Sequence, residues 1–224
     1  LRSLESHFSD GPKGRVASGA ENSMILASHV IISCYGFWLP NEEPGSWSEF
    51  VRSWELFYNF GKATKVDTHR SVANRPYDKQ RRRDARESLK YPPVAFTGVQ
   101  AREVAIAFGE KARKSEYAIY ACAILRNHAH LVIGRHDYDV MQVTNLLKGA
   151  ATHRLTTMGM HPLAEFRSRD GRVPSPWAQK AWKVFLDSDA DVRRAIRYVE
   201  ENPEKEGKRR QQWSFVVPYV ARGW

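Results

Sequence analysis

The sequence predicts an α+β fold, an antiparallel sheet with helices packed on it, and three observations carry that prediction. Two strand-like runs, 117–125 and 128–133, are separated only by the polar pair Arg126-Asn127, which permits an antiparallel hairpin. An earlier run, 28–39 (SHVIISCYGFWL), is rich in β-branched and aromatic residues and ends at Pro40. Helical periodicity separates the other strands, so helices and sheet share one core.

Taken in order, residues 1–24 mix Gly, Ser and charge with little periodicity and read as a tail or arm. Residues 25–224 read as a single domain, a length one core can serve. After the first strand, residues 40–93 form a basic insertion. It includes a short helical stretch near 47–60 and a polar stretch holding Arg81, Arg82 and Arg83, and Pro92-Pro93 closes it. From Lys62 to Lys90 there are ten Lys or Arg against four Asp or Glu, so 10 − 4 = +6. Thr97 and Gln100 then fit a capping box for a helix running to Lys114, with Val104, Phe108 and Ala112 at spacing four. The hairpin follows. Asp139 and Gln142 begin a helix to Leu155, buried along Val140, Val143, Leu147 and Ala151, with Lys148, Thr152 and His153 elsewhere on it. Residues 156–180 read as loop and 182–186 (WKVFL) as a strand. Ser188 and Asp191 start a last helix from Asp189 to Asn202, which Pro203 stops.

With 35 Lys plus Arg against 25 Asp plus Glu, the net charge is +10, which favours a polyanionic partner such as nucleic acid. Cys34 and Cys122 both sit in apolar runs and read as buried free thiols; no CxxC pair exists for a thiolate zinc site. No apolar run approaches the roughly 18 residues of a membrane span, and the first residues lack a secretory pattern, so a cytoplasmic protein without a membrane partner is expected.

His128-Ala-His130 lies inside a strand, where alternation sends both imidazoles to one side. Two such rings can share a metal. A zinc deaminase would need HxE and PCxxC, which are absent, and no second such motif supports a two-histidine phosphodiesterase. His69, His136, His153 and His161 are isolated. On the last helix Tyr198 and Asn202 lie together, one turn apart, on the flank of a face marked by Val192, Ile196 and Val199. The combination has a chemical logic. A tyrosine hydroxyl can conserve the energy of a DNA phosphodiester in a covalent bond. Two imidazoles and an amide oxygen can hold a divalent cation that polarises the phosphate.

The run 120–133 (YACAILRNHAHLVI) resembles the HUH strand of single-tyrosine transposases, with Asn127 matching the Asn that commonly precedes the motif. The run 198–203 (YVEENP) resembles the tyrosine helix of REP-associated tyrosine transposases. The Leu146-Leu147-Lys148-Gly149 helix, Trp177, Trp182 and the closing WSFV fit that family's order. The resemblance is specific from 117 to 203 and loose before 94. It implies an HUH-endonuclease, ferredoxin/RRM-like fold for 25–224, with Tyr198 as nucleophile and His128, His130 and Asn202 as ligands to Mg²⁺ or Mn²⁺. Asn202 stands where the family commonly has Gln, and Ala129 is smaller than the usual Val or Ile. The implied activity is that of a transposase, a site-specific single-stranded DNA endonuclease and strand-transferase with a 5′-phosphotyrosine intermediate, acting near DNA hairpins. A mobile insertion-sequence transposase of the same chemistry, or a hairpin binder that has lost catalysis, are the alternatives. Arg81, Arg82, Arg83 and Lys148 are the expected DNA contacts, with Trp54, Phe57, Tyr58 and Tyr77 available for base stacking. Monomer and homodimer both stay open.

Overall fold

The computed structural model describes residues 24–37, 39, 78–179 and 181–221. The expected tail (1–24), apart from Met24, and most of the 40–93 insertion lie outside these residues, including its helical stretch and the stacking candidates Trp54, Phe57, Tyr58 and Tyr77.

Four strands make one sheet: β1 (Ala27–Ser33), β2 (Ile119–Ile124), β3 (His128–Gly134) and β4 (Trp182–Leu186), in the order β2-β3-β1-β4. Every neighbouring pair is antiparallel. The helices are α1 (Lys79–Glu87), α2 (Gly98–Lys114), α3 (Val140–Thr157) and α4 (Asp189–Lys205). From β1 to β4, apart from α1, the sequence β1-α2-β2-β3-α3-β4 with β1 and β3 central is the ferredoxin-like βαββαβ arrangement.

Local chemistry accounts for the helix starts. Thr97 and Gln100 close a reciprocal capping box on α2, Asp139 caps α3 through Met141 N–H, and Ser188 caps α4 through Asp191 N–H. Two expectations are corrected. The polar stretch around Arg81 is the helix α1, capped by Asp78, with Ala85 as its buried residue. Charge hid it, because a helix so exposed has almost no apolar period to read. The last helix also runs through Pro203 to Lys205. A proline so near the end removes one hydrogen bond from a turn that is already finishing, and Pro203 is buried.

Alternation along the strands divides the sheet. One face, with Val30, Ile32, Ile119, Cys122, Ile124, Ala129, Leu131 and Ile133, packs with Val104 and Phe108 of α2 and Val143, Leu147, Ala151 and Leu155 of α3. The other face, with Ala27, Ala121, Ala123, Val132 and Leu186, packs on Val192, Ala195 and Val199 of α4. Arg154 of α3 clamps α2 through Glu103 (2.6 Å) and Glu110 (3.0 Å).

The outer edge of β2 is covered by the C-terminal segment. Gln211 accepts from Ile124 N–H and donates to Ile124 C=O, both at 2.7 Å, and Val217 N–H donates to Ile119 C=O. Phe215 packs so tightly on α2 that a Cβ on Gly109 would come within 2.7 Å of its ring, so any larger residue there would have to displace Phe215. Both cysteines are buried free thiols, and no described helix is long and apolar enough to cross a membrane.

Candidate active site

The α4 face of the sheet changes character toward one end. On it His29 is level with Val132 and Ala121, His130 is level with Ala123, and His128 lies beyond them along β3. His130 pairs with Ile31 across β1, and His29 with Val132, so His29 and His130 are diagonal neighbours on the same face. Their rings stack with centroids 5.5 Å apart, and His29 Nε2 lies 3.2 Å from His130 Nδ1. The His128 and His130 centroids are 4.8 Å apart. His128 also stacks on Phe37 at 4.9 Å.

Helix α4 brings Tyr198 to this cluster. Its ring centroid lies 5.6 Å from that of His29 and 5.7 Å from that of His130, edge-on to both. Val192, Ala195, Val199 and Asn202 form the buried stripe of α4, at spacings of three and four. Asn202 is therefore in the stripe itself, 7% exposed, and Tyr198 sits on its flank. Trp182, at the start of β4, makes an edge contact with His29. Lys205 places its ammonium 4.2 Å from the centre of the Tyr198 ring.

Burial keeps these imidazoles neutral. It lowers His29 and His128 to about 4; near His128, Glu206 pulls the other way and Lys208 reinforces the lowering. His130, 3% exposed, is held well below the usual histidine range by burial, and then by His128, His29 and Lys205. A metal-ligating imidazole must be neutral.

Asn127 fixes one tautomer. Its Oδ1 lies 2.8 Å from His128 Nδ1, and a carboxamide oxygen can only accept, so Nδ1 carries the proton. The lone pair of His128 is then on Nε2. This gives the residue preceding the motif a physical task, that of orienting the His128 ring. Among the described residues, no group of three or more His, Cys, Asp or Glu side chains is arranged to hold a metal ion. The donor set expected from the sequence is these two imidazoles plus the amide of Asn202, which is buried on α4 one turn beyond Tyr198. Neutral histidines with one nitrogen already hydrogen-bonded suit a divalent cation that keeps open positions for phosphate and water.

The expected DNA contacts divide. Arg81 and Arg83 are exposed on α1 and Arg82 is half-buried; Arg81 is 3.5 Å from Asp78. Lys148, read from sequence as lying off the buried stripe, is 8% exposed, and its ammonium donates to the carbonyls of Ala178 (2.8 Å) and Gln179 (3.1 Å). Beside it, Trp177 Nε1–H reaches Lys148 C=O and Thr152 Oγ1. Lys148 thus ties α3 to the segment that leads into β4. A buried ammonium engaged in this way serves as a structural tie.

Sequence reading missed His29 and Lys205. His29 stands in a strand that was recognised, but an isolated His in a strand gains meaning only when the partner strand and register are known; Lys205 lies beyond Pro203, where the helix was expected to stop.

No known family profile matches the chain, and no curated protein matches it. Solved structures of similar arrangement include the REP-associated tyrosine transposase bound to a REP hairpin. The identity is 12% and the TM-score 0.43, with 85% of this chain and 74% of that chain covered. That likeness is distant, and the architecture above stands on the strand pairing of this chain itself.

Proposed function

We propose that this chain is a metal-dependent nuclease and strand-transferase for single-stranded DNA, a transposase-type enzyme with Tyr198 as nucleophile. The observation that carries the reading is the meeting of Tyr198, from one helix, with His128 and His130, from one strand, on the polar end of a sheet face. The sequence resemblance of both segments to REP-associated tyrosine transposases supports it, and the excess of basic residues suits the substrate.

His128, His130 and Asn202 are the residues that would hold Mg²⁺ or Mn²⁺. When bound, the cation polarises the scissile phosphate and neutralises charge developing on it. The Tyr198 hydroxyl attacks phosphorus, the P–O3′ bond breaks, and a 5′-phosphotyrosine forms. The phenolic proton is balanced by the one that the departing 3′ oxygen takes up. The free 3′-OH is then the nucleophile that reverses the reaction on the same or another strand. Lys205, over the tyrosine ring, places positive charge beside the approaching phosphate. The preferred substrate is a single strand beside a short hairpin, with the stem held through its phosphates.

Incubation with labelled single strands from the flanks of the gene, with Mn²⁺, is expected to give a covalent protein–DNA adduct. Tyr198→Phe keeps the packing ring and removes the hydroxyl, so binding should persist and adduct disappear. Chelator should likewise suppress adduct and leave hairpin binding. Adduct at wild-type level in Tyr198→Phe, or in excess chelator, refutes this mechanism; binding without any adduct would leave a hairpin-binding protein.

A further inference from the structure

The contact between His29 Nε2 and His130 Nδ1, 3.2 Å apart in a buried site, has only two self-consistent forms for neutral rings. Two lone pairs cannot face each other there without a proton between them. In one form His29 donates from Nε2–H, which leaves His130 accepting at Nδ1 with its own proton on Nε2. His130 then has no lone pair to offer a metal. In the other form His130 donates from Nδ1–H to His29 Nε2, and the lone pair of His130 stays on Nε2. That second form matches His128, whose Nδ1–H donates to Asn127 Oδ1. The two strand histidines then present the same nitrogen.

We propose that His29 is a positioning residue: it accepts the Nδ1–H of His130, fixes that tautomer and ring angle, and so makes His130 a ligand. The proposal rests on the reading of His128 and His130 as metal ligands. Its structural basis is independent of the tyrosine. His29 stands on β1, whose pairing with β3 sets the diagonal contact. Its own ring is held by the edge of Trp182. The central strand of the sheet therefore supplies His130 with the service that Asn127, in the turn before β3, supplies to His128. Outer-shell partners of this kind typically contribute about 10- to 100-fold in metal affinity.

The test uses the whole chain. Two-dimensional ¹H–¹⁵N spectra of the imidazoles in metal-free wild type should show His130 protonated on Nδ1. Protonation on Nε2 overturns the proposal whatever the metal does. His29→Gln keeps an acceptor at the contact, whereas His29→Phe keeps a flat ring and removes it. Mn²⁺ titration followed by electron paramagnetic resonance should give near wild-type affinity for His29→Gln. His29→Phe should bind about 10- to 100-fold more weakly at temperatures where the variant is fully folded. If His29→Phe binds Mn²⁺ like wild type, the positioning role falls while the metal reading stands. If wild type itself binds no Mn²⁺, the metal reading falls and the proposal with it.

Discussion

Toward α2 and α3, β1 presents Val30 and Ile32; toward α4, the same strand presents His29. Strand β3 repeats the contrast, with Leu131 and Ile133 on one side and His128 and His130 on the other. The first face is filled by large apolar side chains from two helices. The second is covered by one helix and holds small residues, Ala121 and Ala123, where α4 sits closest. Alternation at period two lets a single strand serve both purposes without compromise. It follows that substitutions on the two faces should fail in different ways.

The largest expected effect on folding is on the apolar face. Phe108 is fully buried against Trp177 and the sheet, and Phe108→Ala should cost about 3–5 kcal/mol. His130→Ala should remove adduct formation and Mn²⁺ binding but cost far less stability, since the ring it removes belongs to the polar end of the site. Urea unfolding of the two variants, read beside adduct yield, checks the contrast. Equal destabilisation by both would mean that the histidine face is core after all.

Acid should expose the same asymmetry. The folded values of His29 and His128 are lowered from 6.5 to about 4, so between those values the unfolded chain binds protons that the folded chain refuses. Stability from their neutral burial is therefore present in full above pH 6.5 and is lost as pH falls toward 4. The slope is at most about 1.4 kcal/mol per pH unit for each histidine. Denaturation midpoints measured from pH 7.5 to 5 should fall in wild type and fall less in the double variant His128→Ala, His130→Ala. Parallel lines would show that the histidines have no share in acid sensitivity.

A smaller effect is expected at Lys148. Lys148→Met keeps the stem and leaves the carbonyls of Ala178 and Gln179 without their donor, a loss of about 1–3 kcal/mol. Hairpin affinity, measured where the variant is fully folded, should not change. A variant with wild-type stability and weakened DNA binding would restore Lys148 as a phosphate contact.

Much of this was legible from sequence, and the reasons differ by element. The capping box at Thr97 and the strand at 182–186 each have a local signal, and they fall where expected. The His128 and His130 pair needs only alternation, and Tyr198 and Asn202 need only helical spacing. What escaped depends on pairing. His29 acquires a partner through the β1–β3 register, and Lys148 is buried because the segment after Trp177 folds back over α3. Helix α1 escaped for another reason: its nine residues carry five basic and two acidic side chains, so no apolar stripe betrays it.

That helix supplies the sharpest test of where binding ends and chemistry begins. Arg81, Arg82 and Arg83 are consecutive, so at about 100° per residue they fan over most of the α1 surface and cannot all meet one phosphate. Arg81 is already beside Asp78, which lessens its attraction for an anion. Each phosphate of a duplex stem that a protein neutralises adds about 0.9 to the salt slope of binding. Replacing all three arginines by Ala should therefore reduce the salt dependence of hairpin binding by about one to two units of slope. Ala is a better helix former than Arg, so α1 itself should persist. At saturating DNA the rate of adduct formation should match wild type, because none of these side chains belongs to the histidine and tyrosine cluster. Affinities across a salt series, with single-turnover rates at saturation, separate the two quantities. An unchanged slope would make α1 a solvated helix with no part in DNA binding, and a reduced saturated rate would place it within reach of the reacting phosphate.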